Sequence, residues 1–531
     1  MDEGDRNVGR ETEAMAESYA PDLGISPAAC VIDKPIDPCI IVIFGASGDL
    51  TARKLIPSLY HLYLNKGLPP SFAIVGCSRT GWSRQDFQEH MERSIREAGS
   101  LDTAPWNEFA ERLYYQTVQY DSPASYEGLA TALRRIDEKH GTGENRVFYL
   151  ALPPSLYQTV GETLGQAGLS RDDENGGGWA RIVIEKPFGR DLETARDLNN
   201  SLRQSFQEHQ IYRIDHYLAK ETVQNMLVFR FANAIFEPIW NRSYIDYVKI
   251  TAAETLGVEH RAGYYEEAGV LRDVFQNHMM QLLAITAMEP PSVFEADRVQ
   301  DEKAKVFRCL RPFAVDSVDE HLTLGQYGPG TIGDTAVPGY RDEPGVRPGS
   351  LTATFALMRV FVDNWRWQGV PFYVMSGKRL ARKLTEIVIQ FKEVPHSMFR
   401  HVLGEHITAN RLILGVQPDE KITCTFQTKN PGATFCLRSV TMDFDYHQNY
   451  QGPRLDAYEK ALLDCMQGDH MLFWRQDGVE LSWSFLTPIL DECENCSERA
   501  ERLRFYRSGS WGPLGAQDME GFSRFRSTGS F

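Results

Sequence analysis

The sequence predicts an α/β plus α+β protein: an N-terminal doubly wound, Rossmann-like parallel sheet, followed by a larger domain with a mostly antiparallel sheet and flanking helices. Three observations lead to this prediction. The chain has 531 residues, too many for one ordinary hydrophobic core. Its first part carries short, continuously apolar runs between helical stretches, as buried parallel strands require. Its second part carries longer runs that alternate polar and apolar residues, which is typical of an antiparallel sheet.

The first strand is predicted at residues 40–44, where every residue is apolar. A turn follows at residues 45–49, and the next helix is indicated by apolar residues at helical spacing, namely Leu55, Ile56, Leu59, Leu62 and Tyr63. A second apolar run at residues 72–75 completes a βαβ unit. Further buried strands are predicted at residues 147–152, 181–184 and 211–214.

After about Lys220 the periodicity changes to alternation. This predicts strands at residues 244–251, 354–362, 386–392, 411–416, 421–427 and 436–442. Helices are predicted at residues 267–287 and 456–466, and the Gly- and Pro-rich stretch at residues 328–349 predicts a long loop.

Four segments follow from these elements. We expect a disordered acidic tail at residues 1–38 and a nucleotide-binding, Rossmann-like domain at residues 39–217. An α+β domain for substrate and dimerisation should occupy residues 218–500, and a C-terminal tail residues 501–531.

Composition restricts the partners. The formal net charge of −16 argues against nucleic acid or an anionic membrane as the main partner, since both need a broad basic surface. No apolar run approaches the length of a membrane-spanning helix. The nine cysteines are scattered, which favours a reducing compartment, and we expect a cytoplasmic protein. Cys493 and Cys496 lack a second ligand pair at zinc-site spacing, so we expect no metal.

The turn after the first strand is a candidate dinucleotide site. It comprises Gly45, Ala46, Ser47, Gly48, Asp49 and Leu50. Glycines let the backbone approach a pyrophosphate, and a helix N-terminus favours negative charge. The usual fingerprint has glycines at its first, third and sixth positions, whereas here they are first and fourth, so a plain strand–helix turn is the alternative. Arg79, after the second strand, suits the 2′-phosphate of NADP, unless it is a solvated surface arginine.

Four phrases resemble the glucose-6-phosphate dehydrogenase family. They lie at residues 45–54 (GASGDLTARK), 185–189 (EKPFG), 213–221 (RIDHYLAKE) and 272–278 (RDVFQNH), and Gly377-Lys378 and Val416-Gln417-Pro418 extend them. The resemblance runs in order from about Cys39 to Ser484. It implies NADP-dependent oxidation of glucose 6-phosphate at C1 to 6-phosphogluconolactone, the first oxidative step of the pentose phosphate pathway. It also implies a homodimer or homotetramer.

The resemblance also implies residue roles. His278 is the general base and Asp215 orients it, as a carboxylate does in other acid–base pairs. The other substrate-binding residues it implies are His216, Tyr217, Lys220, Lys378 and Lys383 for the phosphate, and Glu254 and Asp273 for sugar hydroxyls. Lys186 should lie between sugar and nicotinamide, with a cis bond to Pro187 as a hypothesis. The nicotinamide half should be flanked by Ala151, Leu152, Pro153 and Tyr157.

On an α-helix, Asp273 and His278 would lie about 140° apart and be poorly placed to pair directly. Two other functions remain open. One is a dehydrogenase of another sugar, which His216, Lys220 and Lys378 oppose because a phosphate site without phosphate leaves buried charges unpaired. The other is an inactive NADP-binding sensor or scaffold, which the presence of both Asp215 and His278 opposes.

Overall fold

The structure is a computed structural model. It describes residues 35–97, 99, 103–172, 177–314, 318–399, 407–432, 436–445 and 455–513. Residues 1–34 of the predicted acidic tail lie outside this described part, as do residues 514–531.

The predicted parallel sheet is present in the first domain. Six parallel strands form it: β1 (Cys39–Phe44), β2 (Phe72–Ser78), β3 (Leu113–Thr117), β4 (Arg146–Leu150), β5 (Ala180–Ile184) and β6 (Ile211–Ile214). Their order is β6-β5-β4-β1-β2-β3. Strands β2 and β3 therefore extend the sheet on one side of β1, and β4 to β6 extend it on the other side. Such sheets bind ligands in the crevice at the carboxyl ends of the two strands where the order switches, here β1 and β4.

Helices cover both faces of this sheet. They are α1 (Ile56–Leu64), α2 (Arg84–Glu97), α3 (Thr103–Ala110), α4 (Pro123–His140), α5 (Tyr157–Gln166) and α6 (Leu192–Arg203). Every residue of β1 is buried, which explains why its sequence is continuously apolar.

The second sheet has nine strands and is mostly antiparallel, as predicted. Its strands are β7 (Ile245–Ala253), β8 (Leu322–Gly328), β11 (Phe355–Phe361), β12 (Pro371–Gly377), β13 (Leu384–Phe391), β14 (Arg411–Gln417), β15 (Lys421–Lys429), β16 (Leu437–Asp445) and β18 (Leu503–Arg507). Their order is β16-β15-β14-β13-β7-β12-β11-β8-β18. Two pairs, β7–β12 and β8–β18, are parallel.

Further helices belong to this second part of the chain, and some of them pack against the sheet. They are α7 (Glu221–Phe231), α8 (Ala262–Val270), α9 (Met280–Ala287), α10 (Ala296–Arg308), α11 (Val318–His321), α12 (Ala457–Gln467), α13 (Gln476–Asn495) and α14 (Arg499–Arg502). In the described part of the chain, no helix combines the length and apolarity needed to cross a membrane.

The structure corrects the prediction of a C-terminal tail at residues 501–531. Residues Leu503–Arg507 form the edge strand β18, and Tyr506 within it is only 4% exposed. The Tyr506 hydroxyl donates a hydrogen bond to the carbonyl of Lys378 at 2.7 Å. With only five residues, β18 has too short a polar–apolar alternation to predict a strand. Tyr506 is buried because the strand pairs with β8, which is distant in the sequence.

The predicted helix at residues 267–287 is also wrong as a single α-helix. Gly269, at φ 59° and ψ −178°, interrupts it, and residues Leu271–Met279 form a π-helix before α9 begins. The predicted loop at residues 328–349 contains a short hairpin of β9 (Gly330–Ile332) and β10 (Thr335–Val337).

A short segment near the C-terminus returns to the first domain. Strand β17 (Phe473–Trp474) pairs antiparallel with β6, and Glu459 of α12 lies 2.7 Å from the His61 ring of α1. Sequence patterns gave no sign of this return because β17 is only two residues long. This segment therefore completes the first domain: β17 is the edge strand of the first sheet, next to β6.

Candidate active site

Two buried side chains form the centre of the site. Asp215 follows β6 directly and is 2% exposed, and His278 lies in the π-helix and is 3% exposed. The Asp215 Oδ1 atom lies 2.5 Å from His278 Nδ1 and also accepts the backbone N–H of Tyr217 at 3.0 Å. The Tyr217 ring stacks on the imidazole with centroids 4.1 Å apart. The pair is held from three sides, so its geometry is fixed before any ligand arrives.

Opposing forces set the protonation of this pair. Burial alone would raise the pKa of Asp215, but the charge and hydrogen bond of His278 hold it well below its usual range. Burial lowers the pKa of His278, against the attraction of Asp215 and with the help of the Lys186 charge. At neutral pH the pair is therefore a carboxylate and a neutral imidazole. The carboxylate fixes the proton on Nδ1, which leaves Nε2 as an acceptor.

The π-helix changes the relation between Asp273 and His278. Hydrogen bonds in a π-helix run between residues five apart, so Asp273 and His278 lie about one turn from each other and not about 140° apart. The helical-wheel prediction is corrected on this point. Asp273 is 3% exposed. Burial lowers the pKa of His278, and the negative charge of Asp273, like that of Asp215, opposes this lowering.

Lys186 reaches Asp273 from the end of β5. Its Nζ donates to the backbone carbonyl of Asp273 at 2.7 Å and lies 3.2 Å from its Oδ1. Burial would raise the pKa of Asp273, but Lys186, Lys378 and Arg261 hold it well below its usual range. The Lys186–Pro187 peptide bond is cis, which confirms that hypothesis. The lysine and the aspartate are thus held together next to the buried pair.

Donors for an anion gather at the start of α7. His216, Tyr217 and Lys220 lie there, and Lys383 approaches from the turn before β13. Burial, followed by the repulsion of Lys383, lowers the pKa of Lys220 to about 8. Burial also lowers the pKa of His216 well below its usual value, with His278 and nearby lysines adding to this.

Gln417 is a member of this cluster whose role sequence reasoning missed. Its Oε1 accepts from Lys220 Nζ at 2.5 Å, and its Nε2 donates to Thr385 Oγ1 at 3.0 Å. Its signal in the sequence was the Val-Gln-Pro phrase, which marked the position but not a function. The Gln417–Pro418 bond is also cis.

Glu254 and Lys378 meet at the ends of β7 and β12. The Lys378 Nζ lies 2.5 Å from Glu254 Oε2, and Lys378 is 6% exposed. The phosphate role expected for Lys378 stays a prediction; the structure pairs its ammonium with Glu254, and its charge acts on Asp273. Arg261 and Tyr264, which approach Asp273 Oδ1 at 3.5 and 3.4 Å, carried no sequence signal.

The glycine turn is built for close backbone approach. Gly45 has φ 83°, and a Cβ on it would lie 2.1 Å from the carbonyl oxygen of Ala151 at the end of β4. The turn and the segment after β4, which were assigned separately to the nucleotide, therefore lie next to each other at Gly45 and Ala151. Tyr157, which begins α5 shortly after this segment, is fully buried. Arg79 is exposed, with its guanidinium 5.5 Å from the centroid of the Tyr120 ring.

Gly45→Ala should destabilise the first domain and abolish nucleotide binding. The left-handed backbone at this position costs an L-residue about 1–2 kcal/mol, and the collision with Ala151 adds to it. Thermal unfolding and nucleotide titration would measure both effects. Gly128→Ala, in α4 where a Cβ meets nothing within 4 Å, is the matched control: it should leave nucleotide binding unchanged and raise stability by about 0.5–1 kcal/mol, because alanine favours a helix interior. Normal binding by Gly45→Ala would contradict the assigned contact.

Asp215, His216 and His278 place donor atoms within 4.8 Å of one another, a spacing that could accept a cation. Asp215 Oδ1 is already bonded to His278 and Tyr217, and the charges of Lys186 and Lys220 oppose a further positive ion. The expectation of no metal stays a prediction.

A doubly wound nucleotide-binding sheet whose cleft faces a buried Asp–His pair and several lysines defines a nicotinamide-dependent oxidoreductase. Two family models match in order: glucose-6-phosphate dehydrogenase, NAD binding domain, at residues 42–225, and glucose-6-phosphate dehydrogenase, C-terminal domain, at residues 227–524. The chain belongs to the glucose-6-phosphate dehydrogenase family.

Relatives and solved structures agree with this assignment. The glucose-6-phosphate 1-dehydrogenase of Aggregatibacter actinomycetemcomitans is 47% identical over 481 residues, covering 91% of this chain and 95% of that protein. That of Treponema pallidum is 46% identical, covering 91% and 94%. A solved glucose-6-phosphate dehydrogenase in complex with its substrate glucose 6-phosphate aligns with a TM-score of 0.83 at 34% identity, covering 94% of this chain and 99% of the other. The enzyme from Mycobacterium avium aligns with a TM-score of 0.76 at 32% identity, covering 91% and 97%.

Proposed function

We propose that this protein oxidises glucose 6-phosphate at C1 with NADP, giving 6-phosphogluconolactone in the first oxidative step of the pentose phosphate pathway. The observation that carries this proposal is the closeness of the His278–Asp215 pair to hydrogen-bond donors for an anion: the His216 ring lies 4.6 Å from the His278 ring, and Lys220 follows in the same segment. The pair suits removal of a hydroxyl proton, and these donors suit a phosphate dianion. A sugar phosphate offers both groups at opposite ends.

The chemistry assigned to the chain is proton transfer. His278 Nε2 takes the proton of the C1 hydroxyl, and Asp215 stabilises the imidazolium that results. Lys186, held by Asp273, orients the sugar, and Glu254 and Asp273 accept its hydroxyls. The nicotinamide, when bound, supplies the acceptor for the C1 hydride, so the substrate loses one hydride and one proton and the lactone results.

The residues at the β1–β4 crevice fit a dinucleotide. Gly45 lets the turn pack closely on the backbone of Ala151, and the chain from Gly45 to Leu50 leads into a helix start, which favours a pyrophosphate. Arg79 and its neighbour Tyr120 would hold the adenosine end with its 2′-phosphate. The nicotinamide half would meet Lys186 and the segment Ala151–Pro153, with Tyr157 behind it.

The first test follows the absorbance of reduced nicotinamide. Glucose 6-phosphate with NADP should give a fast rise, and plain glucose should give none. A rise with NAD as well would leave the chemistry standing and correct the coenzyme. No rise with either coenzyme would contradict the proposal and favour another sugar or an inactive scaffold.

Arg79→Leu should raise the KM for NADP about 10- to 100-fold while changing the KM for NAD little. A charge-assisted hydrogen bond to a phosphate contributes about 1.5–3 kcal/mol, and only NADP carries the 2′-phosphate. Steady-state kinetics with each coenzyme would measure this. Arg96→Leu, on an exposed helix face beside Glu92, is the control. Equal losses for both coenzymes would show that Arg79 does not contact the 2′-phosphate.

We also propose a homodimer or homotetramer that assembles through the second sheet, in the cytoplasm. Strands β15 and β16 leave Phe426, Met442 and Phe444 exposed at 38%, 66% and 46%, more apolar surface than one sheet end usually shows. The eight described cysteines are all free thiols, in agreement with a reducing compartment. Light scattering would determine the number of subunits, and a monomer would contradict the assembly.

A further inference from the structure

A lysine is buried on the far side of the active-site pair. Lys303 lies in α10 and is 2% exposed. Burying an ammonium group is unfavourable unless an opposite charge is near it. A buried lysine therefore indicates a nearby carboxylate whose negative charge stabilises the ammonium group.

Contacts on either side of Lys303 fix where α10 lies. Gln300, one turn earlier, donates its Nε2 to the carbonyl of Phe473 at 2.6 Å. Phe307, one turn later, stacks on Trp474 with centroids 5.6 Å apart and the rings inclined by 15°. The face of α10 that carries Lys303 thus packs against β17.

Strand β17 in turn locates Lys303 relative to the active site. Phe473 and Trp474 pair with Ile214 and Arg213 of β6, and Asp215 is the next residue after Ile214. The helix face that carries Lys303 therefore packs on the strand that pairs with the end of β6, directly before Asp215.

Asp215 has a second carboxylate oxygen besides the one that serves the active site. Its Oδ1 serves His278 and Tyr217, but its Oδ2 is buried and has no hydrogen-bond partner in the described part of the chain. Burial lowers the pKa of Lys303 to about 7, and Asp215 is the largest charge opposing this. The other charges that face Lys303 are Arg475, which repels it, and Asp477, which attracts it.

We propose that Lys303 is a positioning residue whose buried charge acts through Asp215 to limit the basicity of His278. This inference rests on the proposed role of His278 as the base. A protonated Lys303 compensates part of the negative field that Asp215 exerts on the imidazole. The histidine then stays neutral, and able to accept a proton, at a lower pH than the Asp–His pair alone would allow.

The charged groups around the pair determine in which direction the pKa of His278 shifts when Lys303 loses its charge. Asp215 and Asp273 favour the imidazolium, and Lys186 opposes it, as does burial. Removing the charge of Lys303 leaves Asp215 less compensated, so His278 binds a proton more readily. Activity should then be lost at a higher pH as the solution is acidified.

The test is Lys303→Met in the full chain, a change that keeps an unbranched side chain and removes the charge. The acid limb of log kcat/KM for glucose 6-phosphate should move to higher pH by about half a unit or more. The KM on the plateau should not change, because Lys303 does not touch substrate. Lys303→Arg, which keeps the charge at every pH, should retain the wild-type limb.

Two further measurements keep the proposal falsifiable. Lys249→Met removes another lysine of lowered pKa, about 8, which faces Glu386 and not Asp215, and it should leave the acid limb in place. Lys303→Gln is the second uncharged variant if the methionine variant does not fold. An unchanged acid limb in either folded variant would overturn the inference.

Nuclear magnetic resonance titration of the His278 ring separates this inference from the proposed function. The ring should titrate at higher pH in the uncharged Lys303 variants whether or not glucose 6-phosphate is the substrate. An unshifted ring would refute the role of Lys303. A shifted ring in a protein that does not oxidise glucose 6-phosphate would refute only the proposed function.

Discussion

Replacing His278 with asparagine is expected to lower kcat by about 10²–10⁴-fold, the usual contribution of a general base. The dissociation constants of sugar phosphate and coenzyme should change little. An asparagine amide can still donate to Asp215 Oδ1, so the buried carboxylate keeps a partner and the fold is preserved. What is lost is Nε2, the acceptor for the hydroxyl proton. Pre-steady-state turnover and equilibrium binding would measure the two quantities separately.

The pH profile gives the same prediction a second readout. Burial lowers the pKa of His278 below its ordinary value, and protonation removes the base. The kcat/KM of the wild-type protein should therefore fall tenfold per pH unit below that lowered pKa. The residual activity of His278→Asn should lack this limb.

A matched control is His470→Asn. His470 is another histidine of lowered pKa, stacked on Tyr212 with centroids 3.9 Å apart and bonded to the carbonyl of His209. Its loss should affect stability and leave kcat within a few-fold of wild type. Unchanged turnover in His278→Asn, with this control behaving normally, would exclude His278 as the base.

The first sheet could be predicted because local patterns determine it. A strand buried on both faces, such as β1, must be apolar throughout, and the turn at Gly45 must lack a Cβ. Both requirements are visible in a few consecutive residues. Six strands of the second sheet were visible as alternation, within one or two residues at most ends, but β8 and β12 of that sheet were not predicted, nor was β3 of the first sheet.

What sequence reasoning missed depends on contacts between distant segments. Strand β17 is two residues long and β18 five, and each exists because a distant strand offers an unpaired edge. The π-helix was missed because the side chains of Leu271–Met279 fit an α-helical pattern equally well. That one difference brings Asp273 and His278 closer to one face than the α-helical estimate of about 140° had placed them.

The residues of the site divide in the same way. Asp215 and His278 were identified from phrases that resemble a family, and the structure brings them to 2.5 Å. Lys378, in contrast, was assigned to the phosphate from a motif alone. Its ion pair with Glu254 could not be predicted, because motif spacing gives no distance between separate strands. Lys303 lies in no noticed motif, because its effect comes from burial and charge and not from a contact pattern.

Lys220→Met should raise the KM for glucose 6-phosphate about 100-fold while changing kcat much less. A hydrogen bond from a buried ammonium to a phosphate contributes about 3 kcal/mol, and methionine keeps the chain length without the charge. Activity towards unphosphorylated glucose, however small, should be unchanged, so the preference for the phosphate should fall by the same factor. Kinetics with both sugars would measure it, and equal losses for both would show that Lys220 serves the fold and not the phosphate.

Lys383→Met is the control that distinguishes the effect of a buried lysine from that of an exposed one. Lys383 is exposed, so water screens its charge and its loss should raise the KM only a few-fold. Lys220, in contrast, has its pKa lowered to about 8 by burial and by Lys383, so it loses its proton as the pH rises through 8. The KM of the wild-type protein should therefore increase above that pH, and the KM of Lys220→Met should stay flat there. A wild-type KM that is independent of pH between 7 and 9 would mean that the charge on Lys220 does not bind the phosphate.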